Sequence, residues 1–172
     1  MDIIIRKASL VDARDIAEIH ARSFKEGHRE FMPEESLIKV NQAELTNRWQ
    51  GRLNQANSYT LVAEVNQKII GLIYFTIHQK TSENDVSAEI VYFYIDPNNW
   101  RKGVGTLLWK ATIDFLIIEN IPKVFGWVLK SNPKSRAFYE SLGAKPDGIE
   151  ETVEKLGTTI IQIRYSLKID QN

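Results

Sequence analysis

Cysteine is absent from the 172-residue chain, which removes disulfide scaffolds, thiolate nucleophiles and cysteine-based zinc or iron–sulfur sites together. Histidine is scarce. His20, His28 and His78 are the full set, and none forms the i, i+4 pair of a helical metal site, so no bound metal is expected. Neither sign of charge is in excess, with 22 Lys plus Arg against 22 Asp plus Glu, and no global field draws the chain to nucleic acid or anionic lipid. A long apolar run is missing too: nothing approaches the ~18 residues of a membrane span. Residues 1–7 alternate charge with isoleucine, unlike a signal peptide. The expectation is a cytoplasmic protein with no membrane partner. What is present, 43% hydrophobic and 26% charged residues, is enough to bury one sizeable core in a single domain.

Along the chain, Ile3, Ile4 and Ile5 read as a first strand, and Ser9 with Asp12 three residues later marks a helix start. Ile16, Ala17, Ile19 and Phe24 recur at helical spacing, with Gly27 as the expected stop. Pro33, Glu34 and Glu35 open a second helix that Leu37, Val40, Leu45, Trp49 and Leu53 carry toward Gln55. Residues 59–65 and 68–78, joined by Asn66 and Gln67, predict a hairpin. After a polar stretch over residues 81–87, residues 89–95 are nearly all β-branched or aromatic, as in a central strand covered on both faces. Gly103 and Gly105 lead into a helix that Pro122 closes, and residues 124–129 form a buried-type strand. Asn132 and Pro133 then start a helix ending at Gly143. The strand–helix–strand order predicts a parallel pair. Residues 149–154 and 158–169 flank Gly157 as a closing hairpin.

The strongest chemical signal is the turn Arg101, Lys102, Gly103, Val104, Gly105, Thr106 between a strand and a helix. Its glycines admit a ligand close to the backbone, and free N–H groups of the next helical turn suit an anion such as pyrophosphate. A Walker loop is excluded, and the dinucleotide fingerprint fails because Leu108 stands where the third glycine belongs. Alone, the turn reads equally as a softened junction with a solvated Arg–Lys pair. Asn132, Ser135 and Tyr139 share one helix face, Phe138 and Leu142 the next. By themselves, Asn132 is an N-cap and Tyr139 a packing residue.

In order and spacing, residues 88–145, with Glu89-Ile90-Val91, Arg101-Lys102-Gly103-Val104-Gly105-Thr106 and Asn132 through Tyr139 to Gly143, resemble the acyl-CoA-binding half of the GNAT superfamily of N-acetyltransferases. The resemblance implies a single α/β (α+β) domain over residues 1–172: a mixed, mostly antiparallel sheet flanked by helices, splayed between the fourth and fifth strands. Residues 1–87 would form the acceptor-side front, residues 88–145 the acetyl-CoA-binding half and residues 146–172 the closing hairpin. It further implies that the backbone of Phe93, Tyr94 and Ile95 grips pantetheine, that the turn holds pyrophosphate, and that Asn132 and Ser135 flank the arm. Tyr139 would be proton donor to the departing thiolate. Trp100 departs from the family's usual Gln or Arg, with Arg101 as a substitute.

An attacking amine must first lose a proton. Glu89 lies where many family members carry the base, and Trp127 stands where some have a second carboxylate. Phe24, His28, Glu30, Phe31 and Trp49 fall in the region that would form the acceptor pocket, although aromatics there are more often core. The implied function is direct acetyl transfer from acetyl-CoA, as co-substrate, to a primary amine. A small or amino-acid-like acceptor is favoured, a protein N-terminus comes next, and a homodimer stays open. The alternative is a module of this fold that binds acyl-CoA without turnover.

Overall fold

The computed structural model describes residues 2–79 and 86–170. Seven strands form one sheet in the order β1-β2-β3-β4-β5-β7-β6: β1 (Ile4–Lys7), β2 (Ser58–Val65), β3 (Lys68–Gln79), β4 (Val86–Ile95), β5 (Lys123–Leu129), β6 (Lys145–Lys155) and β7 (Thr158–Lys168). Every neighbouring pair is antiparallel except β4 and β5, which α4 (Val104–Ile118) connects. Asn66 and Gln67 at φ 48° and 63° make the β2–β3 turn, as Leu156 and Gly157 at 55° and 79° make the β6–β7 turn. Of the expected polar link over residues 81–87, residues 81–85 lie outside the described part, while Val86 and Ser87 already belong to β4.

Helices cover both faces. On one, α4 seals Ile73, Phe75, Ile90 and Val124 with Leu108 and Leu116. On the other, α1 (Ala13–His28) and α3 (Gln42–Leu53) bury Ile16 and Trp49 against Leu72 and Tyr74. Asp12 fixes the entry to α1, since its carboxylate accepts from the Ser9 N–H at 2.7 Å and from both terminal nitrogens of Arg6 at 2.9 Å. Those bonds hold the Asp12 carboxyl down at about 2.

Two helix boundaries differ from expectation. Gly27 lies inside α1, a tolerable cost of about 1 kcal/mol, because His28 completes the last turn. Its Nδ1–H donates to the Phe24 carbonyl at 2.9 Å, and its ring stacks on Phe24 at 4.1 Å. The single helix expected to run from residue 34 to 55 is two, α2 (Glu34–Leu37) and α3. Asn41 separates them, its side chain accepting from the N–H groups of Ala43 and Glu44 at 2.8 and 3.3 Å.

Candidate active site

The fourth and fifth strands pair only over Ala88–Val124, Glu89–Phe125 and Ile90–Gly126. Beyond that they part. Val91 sits at the change: it has no partner in the β3 register, since Ile90 faces Phe75 and Tyr92 faces Tyr74, a bulge that bends β4. The splay leaves backbone groups of β4 without a strand neighbour on the β5 side. Alternation decides which ones. The Asp96 N–H donates to Ile70 O of β3 at 2.9 Å, so Tyr94 and Tyr92, two and four residues earlier, also turn to β3, whereas Phe93 and Ile95 turn to the gap. This corrects the assignment of Tyr94: its backbone belongs to the β3 ladder.

Two side chains flank the closed end of the gap from opposite faces. Tyr139, on α5 (Pro133–Ser141), packs edge-on to Trp109 at 6.2 Å and Phe93 at 6.4 Å. Its hydroxyl makes no hydrogen bond among the described residues, and burial raises its pKa well above that of free tyrosine. Gly126 lies beneath it: a Cβ there would press on Ile90 Cβ at 3.3 Å and would meet the Tyr139 hydroxyl at an ordinary contact distance of 3.6 Å. On the other face, Glu89 stands opposite Thr76 and Phe125. Its Oε2 lies 3.0 Å from His78 Nε2, which also meets Thr76 Oγ1 at 2.9 Å. Glu89, His78, Phe125 and Arg164 line a cleft of about 770 Å³.

The glycine turn begins where β4 ends. Gly103, at φ 81°, opens α4, a left-handed conformation in which other residues are strained. Gly105 lies in the first turn of α4, where a Cβ would come 2.7 Å from Phe138 Cζ. Its small size therefore serves packing against Phe138, which stands T-shaped on Phe93 at 5.4 Å. Lys102 Nζ donates to Asn98 O at 2.7 Å, while Arg101 is exposed at φ 60°. Trp100 takes a different role from a side-chain anion contact: its indole N–H donates to Ile95 O at 2.7 Å, where Ser23 Oγ also donates at 2.9 Å. Asn132 is engaged at both ends, Oδ1 accepting from Ser135 N–H at 3.0 Å and Nδ2 donating to Gly27 O at 3.4 Å. That makes it a cap and a tie to α1.

The residues expected on the acceptor side are only partly accessible. Trp49 is 0% exposed and Phe24 2%, so both are core residues with no surface to offer a ligand. Phe31 is half-buried in the turn after α1, and the Glu30 carboxylate accepts from Lys134 Nζ at 2.9 Å. The Trp49 indole N–H donates to His20 Nδ1 at 3.2 Å. Burial keeps His20 and His28 neutral, lowering them to about 3 and about 4.

Residues 14–144 match the model of the acetyltransferase (GNAT) family. The chain belongs to that family. A curated relative, the uncharacterized N-acetyltransferase YuaI of Bacillus subtilis (strain 168), is 25% identical over 139 residues, 81% of this chain and 78% of that protein. Two solved structures share the fold. The PaiA N-acetyltransferase of Thermoplasma acidophilum in complex with coenzyme A has a TM-score of 0.75 and 22% identity over 98% of this chain and 99% of its own. An N-acetyltransferase of Staphylococcus aureus Mu50 has a TM-score of 0.76 and 16% identity over 99% and 100%. The expected α/β GNAT fold with one parallel pair is therefore the observed one. No helix among the described residues is long and apolar enough to cross a membrane.

Sequence reasoning about this GNAT domain missed His78 and Gly126. His78 had no pattern of its own, and only the β3–β4 register brings it to Glu89. Gly126 did carry a signal, a glycine inside a β-rich run, which marks a close approach.

Proposed function

We propose that this GNAT protein transfers an acetyl group from acetyl-CoA to a primary amine by direct attack. One observation carries the reading: β4 and β5 part just beyond Glu89 and Gly126, with a carboxylate on one face and the unpartnered hydroxyl of Tyr139 on the other. The residues fit the co-substrate. Phe93 offers both backbone groups, and Ile95 its N–H, to a pantetheine arm along the gap, while the turn through Gly103 offers N–H groups to its pyrophosphate.

The chain's own groups then divide the work. Glu89 takes the proton of the attacking amine, directly or through water, and His78 orients the carboxylate by donating from Nε2. The Phe93 N–H stabilises the carbonyl oxygen as negative charge develops on it. Tyr139 donates to the leaving sulfur. Burial raises its pKa, but the same dry surroundings raise the basicity of a thiolate, so the hydrogen bond strengthens as the C–S bond breaks. The new N–C bond replaces the C–S bond, and no covalent enzyme intermediate forms.

Isothermal titration with acetyl-CoA, CoA and ATP, followed by a free-thiol release screen across amine classes with product mass confirmed, tests this reading. Acetyl-CoA binding with an acetylated amine supports it. Tight CoA binding without turnover on any class would assign a non-catalytic binding module, and preference for ATP would overturn the site.

A further inference from the structure

On the Glu89 face of the sheet stand two cations, Arg52 and Lys155, with no carboxylate paired to either among the described residues. Arg52 of α3 lies over the rings of Trp49 and Tyr92 at 5.4 and 5.0 Å and donates from Nη2 to the Tyr92 hydroxyl at 3.0 Å. Its Nη1 is buried and has no hydrogen-bond partner among the described residues. No acidic group pairs with it there: Glu44, on the same helix, is taken by Arg48 at 3.6 Å. From the opposite side, half-buried Lys155, at the end of β6, holds Nζ 5.0 Å over the Phe24 ring. It too has no ion pair among the described residues. Both charges bear on His20, whose ring lies 4.8 Å from Tyr92 and 4.6 Å from Tyr94.

A buried guanidinium N–H without an acceptor is a costly arrangement, and stacking on two rings offsets only part of it. An anion from outside the chain would complete it. Location supports this, since Tyr92, which Arg52 holds, shares a face of β4 with Glu89 on the two sides of the Val91 bulge. An amine nitrogen at Glu89 and an anionic group at Arg52 can belong to one small molecule. Two cations would repel a polyamine, and they lower the pKa of an amine brought beside them.

We infer that the acceptor is a small amine that also carries an anionic oxygen group, a carboxylate or phosphonate, received by Arg52 and Lys155. The inference rests on the acetyltransferase reading for its placement, yet it can be tested by binding alone. The full chain, with and without CoA, is titrated with aliphatic and aromatic amino acids, their amides, the decarboxylated amines and aminoalkylphosphonates. At least one anionic member should bind tenfold or more tighter than its amide. Arg52→Gln should bring the acid-to-amide ratio to within about twofold of one, and Lys155→Gln should weaken the anion three- to tenfold. Carboxylate and phosphonate arms identify which group fits. Arg52→Lys, which keeps charge but loses the fork, should retain part of the preference and guards against a folding defect in Arg52→Gln. Amides or plain amines binding as well as every acid, absence of binding by any anionic member, or an unchanged acid-to-amide ratio in both Arg52 variants would overturn the inference. Failure of acetyl transfer is read separately, by thiol release and acetyl-CoA titration, and leaves the acid-to-amide ratio to decide this point.

Discussion

Replacing Tyr139 by Phe removes one oxygen and keeps the ring that packs against Trp109, Phe93 and Tyr165. The wild-type hydroxyl makes no hydrogen bond among the described residues, so the substitution breaks none and the melting temperature should move by less than about 2 °C. Against a leaving thiolate the same hydroxyl donates to a charged acceptor, a bond of about 1.5–3 kcal/mol. That corresponds to a roughly 10- to 150-fold loss of kcat. Burial pushes the Tyr139 pKa up, away from neutrality, so the group stays protonated and the wild-type to mutant ratio should be flat from pH 6 to 9. The assay is thiol release at saturating acetyl-CoA and acceptor, with single-turnover measurements to show that chemistry limits the rate. Wild-type kcat in the mutant under those conditions would refute the reasoning, as would a loss confined to acetyl-CoA affinity.

Glu89→Gln keeps size but not basicity, so it should lower kcat with acetyl-CoA affinity intact, and the deficit should shrink as pH approaches the acceptor's own pKa; a deficit constant from pH 6 to 10 would place the proton on another route. Gly105→Ala drives a Cβ into Phe138 and should cost about 1–3 kcal/mol of stability by overpacking, whereas Gly103→Ala meets no atom within 4 Å but must hold φ 81°, so it should act on the turn and on acetyl-CoA affinity. A wild-type melting curve for Gly105→Ala would contradict the packing assignment. His20, lowered to about 3 in the folded state, contributes stability that is full above its unfolded value near 6.5 and lost as pH falls from there toward 3, an effect of up to about 4 kcal/mol. Thermal melts should show this loss in wild type and not in His20→Gln, which can still accept from Trp49. Asp12, at about 2, has the same sign in a lower window, from about 4 to 2, and Asp12→Asn should flatten that part alone at a cost of about 1–2 kcal/mol at neutral pH.

The β4–turn–α4 unit was legible because each step has its own local signal: a β-branched and aromatic run, an Asp-Pro stop, two glycines and an apolar helical period. The gap between α2 and α3 was not, since Leu37, Val40 and Leu45 keep helical spacing across it and only the Asn41 cap shows the break. The cluster around His20 was hardest to see. Its members come from α1, α3, β4 and the end of β6, and the pairing of His20 with Trp49 or of Lys155 with Phe24 exists only after the sheet has formed. Trp49 could be core or substrate contact by position, and full burial makes it core, with its indole N–H donating to His20.

Val91 shows how a feature with no sequence signature can arrange a site. Glu89 and Tyr92 are three residues apart, and in an unbroken strand they would point to opposite faces. The bulge inserts one residue, so Thr76 faces Glu89 and Tyr74 faces Tyr92, and Thr76 and Tyr74, two apart, lie on one face of β3. The proposed base and the Arg52-bound tyrosine thereby come to the same side of the sheet. The same inserted residue bends β4 at the point where its pairing with β5 ends. A single unpaired residue thus accompanies both the opening of the gap and the gathering of Glu89 and Tyr92 on one face, which neither the β-rich composition of the run nor its length announces.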